Sequence, residues 1–176
     1  LGVNTTGSGN AALGYRSLYL NTTGANNTGV GYGALVYNTT ASNNTALGYN
    51  SLTANTTGYG NVAVGALALD ANTDATNNTA VGYSAGGLVT TGTKNTFVGG
   101  LAGDAFTTAS ENTALGYHAA SVCIDGSGVT AVGNAALGTA DCGSNNTAVG
   151  SNSLAQTTGA SNTAIGAASG YDVTSG

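Results

Sequence analysis

The sequence predicts an all-β protein, a parallel β-solenoid (β-roll) of about ten 17-residue coils. Three observations predict it. The string Asn-Thr-Ala-aliphatic-Gly recurs along the whole chain and sets a glycine at Gly14, Gly31, Gly48, Gly65, Gly82, Gly99, Gly116, Gly133, Gly150 and Gly166, eight intervals of 17 closed by one of 16. Each column of the repeat keeps its own chemistry while its sequence neighbours vary, as happens when like residues meet across copies. The composition rejects helix: 30 of 176 residues are Gly, and the repeat is filled with Thr, Val and Ile, all poor helix formers. Helical solenoid units are also about twice as long, roughly 33 to 47 residues.

Counted from the asparagine that opens each copy, position one is Asn10, Asn27, Asn44, Asn61, Asn78, Asn95, Asn112, Asn146 and Asn162, with Val129 as the exception. These asparagines are expected to stack as a structural ladder of amides along a turn. Positions two to six, Thr-Ala-aliphatic-Gly-Tyr, alternate in side-chain direction as a strand does. Thr, the aliphatic and Tyr then share one face, and Ala and Gly share the other with the opening Asn. The ten position-five glycines named above mark the turn that ends the strand. A second strand is expected over the small residue and leucine at positions eight and nine and over Asn-Thr-Thr at twelve to fourteen. A further glycine column (Gly7, Gly24, Gly58, Gly92, Gly126, Gly143, Gly159) brings the chain round. The whole of 1–176 reads as one solenoid repeat domain with incomplete repeats at both ends, a segment of a longer array.

Two basic residues against seven acidic ones give a net charge of −5. So few cations cannot neutralise a phosphate backbone or anchor to an anionic bilayer, which argues against nucleic-acid and membrane-surface partners. No stretch reaches 18 consecutive apolar residues, so membrane insertion is not expected. The N-terminus lacks a signal-peptide pattern, and because it begins at Leu1 a signal removed earlier fits equally. One coil buries about two large side chains, a thin interior. The aliphatic and tyrosine face would leave a long apolar stripe in water, more than a monomer usually carries. Self-association is therefore expected, as a parallel homotrimer packed about an axis or as an end-to-end filament through open sheet edges.

The run Asn44-Thr45-Ala46-Leu47-Gly48-Tyr49, followed by Ser51-Leu52 and Asn55-Thr56-Thr57-Gly58, resembles the repetitive shafts of phage tail fibres and related repeats of large bacterial surface proteins. More distantly it is similar to the head of trimeric autotransporter adhesins, where a shorter repeat builds a left-handed parallel β-roll. The resemblance covers essentially the whole chain through a motif of low complexity. It implies a trimeric, extracellular, fibrous part that spaces or presents a binding element, on a cell surface or virion, with a cell-surface glycan or host receptor as a further partner.

Cys123 and Cys142 are 19 residues apart, one coil plus two, which brings them within reach of a disulfide; two free, partly buried thiols are the alternative. Two cysteines and the lone His118 are too few for a closed zinc site, and no metal or cofactor is expected. Eight Asn-X-Ser/Thr sequons occupy two columns: Asn4, Asn21, Asn38 and Asn55 at position twelve, and Asn26, Asn43, Asn77 and Asn145 at position seventeen. They read as glycan acceptors or as turn chemistry that forms ladders. Tyr15, Tyr32, Tyr49, Tyr83 and Tyr117 form a column suited to packing or to stacking on carbohydrate. The threonine pairs Thr22–Thr23, Thr39–Thr40, Thr56–Thr57, Thr90–Thr91 and Thr107–Thr108 suggest a third use, ice binding by a flat array. No carboxylate pair recurs at a fixed offset and His118 stands alone at the variable seventh position, so an enzyme is not expected. The function expected is a rigid rod segment of an extracellular fibre; a carbohydrate- or ice-binding solenoid is the alternative.

Overall fold

The computed structural model describes residues 1–173 and shows a parallel β-solenoid. Ten three-residue strands make one sheet in sequence order: β1 Ala11–Leu13, β2 Thr28–Val30, β3 Thr45–Leu47, β4 Val62–Val64, β5 Thr79–Val81, β6 Thr96–Val98, β7 Thr113–Leu115, β8 Thr130–Val132, β9 Thr147–Val149 and β10 Thr163–Ile165. Every strand pairs in parallel with the next, and the register is the repeat itself: Ala46 lies beside Ala63, and Ala63 beside Ala80. At the end Thr147 pairs with Thr163, so the shortened interval is absorbed without a register slip. Thr157 still fills the interior slot of position twelve, and the Asn146 amide reaches Gly159 O thirteen residues on instead of fourteen. The missing residue therefore comes out of the threonine turn between them.

The interior is lined by columns one, three, eight, nine, twelve and fifteen. In the third coil these are Asn44, Ala46, Ser51, Leu52, Asn55 and Gly58, all buried. Alanine at position three lets the backbones of facing walls approach, and the leucines at position nine fill what remains.

The expected second strand is absent. Positions seven to twelve form successive tight turns, with Ser17 N–H donating to Gly14 O, Tyr19 N–H to Arg16 O and Asn21 N–H to Leu18 O. The backbone is left-handed at both seven and nine: Arg16 has φ 57° and Leu18 49°, and Leu35, Leu52, Leu69, Leu137 and Leu154 repeat the latter conformation. A left-handed non-glycine residue costs roughly 1–2 kcal/mol. Burying a leucine side chain returns about 1.5–3 kcal/mol, and each of these leucines also bonds its N–H to the next coil, as Leu18 does to Ala34 O at 3.0 Å. Burial wins over local preference, and a strand pattern in the sequence becomes a turn.

Glycine is required at position five. Gly116 has φ 138°, and a Cβ there would lie 2.5 Å from Gly133 O of the next coil. Elsewhere the core trades volume between columns. Phe97 stands where other coils have Ala or Gly, and the leucine column is broken on either side of it by Gly86 and Gly103. A Cβ on Gly86 would meet the Phe97 ring at 2.7 Å and one on Gly103 at 2.5 Å. The ring occupies the space two leucines would have taken.

Candidate functional site: the outward sheet face and its flanking columns

Threonine, the aliphatic residue and tyrosine at positions two, four and six point outward from the sheet, as the alternation requires. The aliphatic column is exposed at Leu13 (70%) and Leu47 (46%), and partly exposed at Val30 between them. Tyr15, Tyr32, Tyr49, Tyr83 and Tyr117 are each more than half exposed. Tyr15, Tyr32 and Tyr49 stack on one another, with centroids 5.2 and 5.5 Å apart. Their faces are turned to each other and their edges to solvent, so Tyr32 has no free face to offer a ligand. Columns two, four and six carry no charged side chain. The result is a neutral stripe of repeating apolar and aromatic groups along the rod.

The position-one asparagines form the ladder anticipated for them. Asn27 N–H donates to Asn10 Oδ1 at 2.9 Å, and the pattern continues through Asn44, Asn61, Asn78, Asn95 and Asn112. From Asn10 to Asn95 each amide also donates across the coil, as Asn44 Nδ2 does to Gly58 O at 2.8 Å. Val129 completes the last rung by donating its N–H to Asn112 Oδ1, but it has no side-chain oxygen to accept the next. The ladder restarts at Asn146, which accepts from Asn162 N–H at 2.8 Å.

Position twelve is a second asparagine ladder. Asn38 Nδ2 donates to Asn21 Oδ1 at 2.9 Å and to Ala41 O at 3.0 Å, and Asn55 repeats this one coil on. The glycan reading of this column is corrected: Asn21, Asn38 and Asn55 are fully buried, and their amide nitrogens are committed to these bonds. Asn4, at the open end of the same ladder, accepts from Asn21 and donates to Gly7 O. The other four sequon asparagines, Asn26, Asn43, Asn77 and Asn145, are exposed and left-handed, with φ between 57° and 63°. The signal missed in the sequence was the asparagine's place beside the buried leucine, three residues before it.

The threonine pairs divide in function. Position-thirteen hydroxyls donate to the carbonyl of the following coil, Thr22 to Thr39 O and Thr39 to Thr56 O at 3.0 and 3.2 Å. Only the position-fourteen threonines stand exposed, in single file.

Cys123 and Cys142 form a disulfide with Cα atoms 4.9 Å apart. Disulfides form and persist in oxidising surroundings, which places the chain in a non-reducing environment. Among the described residues no three His, Cys, Asp or Glu side chains gather as a metal site, and no helix is long and apolar enough to cross a membrane. Asp70 and Asp104 share position ten with Gly87 between them. Burial pushes both carboxyls above their ordinary value, and at Asp104 the charge of His118 counters part of that rise. His118 Nδ1 lies 3.3 Å from Ser121 Oγ, whose hydroxyl lies 3.3 Å from Gly138 O.

Comparisons with protein-family models, with curated proteins and with solved structures find no match.

Proposed function

We propose that the chain is a structural rod, a segment of an extracellular fibre or filament of the phage tail-fibre or microbial surface-adhesin kind, which associates with copies of itself through its outward sheet face. The observation that carries this reading is the uncharged outward face, with an aliphatic residue on each of ten successive strands and a tyrosine beside it in five of the coils. A surface with a fixed period matches best another surface of the same period, and a second copy of this chain supplies one. At about 4.8 Å per coil the stripe runs about 48 Å, long enough for shallow contacts to add. Three rods packed face inward about a common axis would remove all three stripes from water at once. The disulfide fits such a role outside the reducing cytosol.

Sedimentation of the native chain tests it. A trimer, or longer filaments, is the expected result. Lysines at Leu47, Val64 and Val81 should give a monomer that keeps its β-type circular dichroism. A native chain that sediments as a monodisperse monomer would overturn the proposal.

A further inference from the structure

We infer that the corner of the rod around Gly33 binds a carboxylate-bearing sugar, one hexuronate unit at a time. Position seven is filled by Arg16 in the first coil and Asn50 in the third, but by Gly33 in the second. Beside Gly33 lies a recess of about 280 Å³ bordered by Arg16, Tyr32, Gly33, Tyr37, Asn50 and Thr53. That lies at the lower end of small-molecule pockets, about 300–1,000 Å³, the scale of a single pyranose with its substituents. Coils precede and follow Gly33, so the recess belongs to the rod's side and not to its end.

The recess has the one unpaired side-chain cation of the described residues. The chain contains two basic side chains, and Lys94 is bonded to Glu111 at 3.1 Å. Arg16 has no carboxylate partner among the described residues; its guanidinium lies 5.3 Å from the Tyr19 ring centroid, which leaves the planar fork of donors free. A guanidinium fork matches a carboxylate in a bidentate pair. In a chain of net charge −5 this is where an anion meets a positive group. The other groups suit the rest of a sugar. The Asn50 carboxamide reaches over the Gly33 backbone, where a Cβ would meet its Oδ1. Its Nδ2 has no bond within the described residues, so it can donate to a sugar hydroxyl. Tyr37 is half-exposed and stacks on no other ring among the described residues, unlike Tyr32, so it offers an open face to the C–H side of a pyranose. Thr53 and the Tyr32 edge add hydroxyls. A bare carboxylate such as acetate would use Arg16 alone and leave these polar groups unmatched. This inference goes beyond the rod's self-association and does not need it: of the bordering residues only Tyr32 belongs to the outward stripe, and the others lie outside columns two, four and six.

Titration calorimetry with glucuronic acid, glucose, acetate and a C-terminal tripeptide tests it. Glucuronic acid should saturate near the millimolar range, about −4 kcal/mol, with glucose, acetate and the tripeptide at least tenfold weaker. Arg16→Gln should weaken glucuronic acid tenfold or more. Gly33→Asn should abolish it by pushing the Asn50 carboxamide off Gly33 and into the recess, at a backbone conformation that Asn50 shows asparagine can adopt. Neither variant touches column four, so sedimentation should be unchanged. No saturable binding of glucuronic acid, equal binding by Arg16→Gln, or equal affinity for acetate or the tripeptide would each overturn it.

Discussion

Two stretches of the rod share one backbone and fill it differently. From Asn10 to Asn77 the interior turn holds leucine at position nine and asparagine at twelve: Leu18, Leu35, Leu52 and Leu69 with Asn21, Asn38, Asn55 and Asn72. From Asn78 to Gly128 the same positions hold Gly86, Gly103 and Ala120 with Val89, Phe106 and Cys123. In the first stretch the position-fifteen carbonyls each receive two amides; Ala41 O takes both Asn27 and Asn38. In the second, Gly92 O and Ala109 O receive one amide each, from Asn78 and Asn95. There apolar volume replaces the second ladder, with the Phe97 and Phe106 rings stacked at 5.6 Å. The difference teaches that the strand register and the first ladder set the coil, while the remaining interior accepts either polar or apolar filling if volume and hydrogen bonds close. Where the fillings meet, they do not close. Asn55 Oδ1 is buried without a partner because Asn72, the last rung, has turned to accept from Ala75 N–H at 2.9 Å. Asn112 Nδ2 is likewise unpartnered just before Val129 and the disulfide coil.

The sharpest way to break the comparison is Phe97→Ala. It empties the space that two glycines leave open, and such truncations cost about 3–5 kcal/mol. If Phe97 stands in for two leucines, then adding Gly86→Leu and Gly103→Leu recovers most of that loss, because it rebuilds the filling of the first stretch at backbone angles leucine already adopts there. Urea unfolding of the single, double and triple variants measures the coupling. Leucines that remain destabilising on the Phe97→Ala background would show that the exchange of volume is not what ties these columns together.

Asparagine replacements sharpen the difference in hydrogen bonding, with smaller effects. Asn95→Val leaves both Ala109 O and Asn112 N–H without a partner. Asn38→Val leaves Ala41 O served by Asn27 and Asn55 Nδ2 served by Gly58 O, so mainly Asn21 Oδ1 is stranded. At about 1–3 kcal/mol per buried unsatisfied group, Asn95→Val should cost clearly more than Asn38→Val. Equal losses in thermal melts would mean that the doubled ladder adds nothing.

The period, the parallel register and the outward placement of Leu47 and Tyr49 were legible in the sequence because each follows from one-residue alternation and a fixed repeat. The Asn44 column was legible for the same reason. The turn at positions seven to twelve was not: Arg16-Ser17-Leu18 reads as alternating strand, and only the neighbouring coil reveals that burial holds Leu18 left-handed. Asn21 read either as a glycan acceptor or as ladder-forming turn chemistry because its own three residues carry the glycan pattern, whereas the burial that decides for the ladder depends on the leucine column and on Gly24 O. The recess at Gly33 escaped notice because it is an absence between two side chains 34 residues apart, visible only once the coils are stacked.

The smallest expected effect separates the two stretches by charge. Asp70 lies in the first and Asp104 in the second, both with carboxyls raised above 3.8 by burial, and His118 opposes the rise only at Asp104. A carboxyl raised in the folded state is proton-rich there relative to the unfolded chain. Its contribution to stability is complete below pH 3.8 and is lost as pH climbs through the raised value. At pH 7 both acids therefore weigh against folding, and Asp104 does so with Oδ1 buried and unpartnered. Asp104→Asn and Asp70→Asn should each raise the melting temperature slightly at pH 7, with the gain shrinking toward zero as the pH falls below 3.8. His118→Asn, which removes the charge opposing that rise, should lower the melting temperature of the Asp104 protein more than that of the Asp104→Asn protein. Melting curves from pH 3 to 8 would show this; a gain from Asp104→Asn that grows in acid would mean that the carboxylate is favoured in the fold.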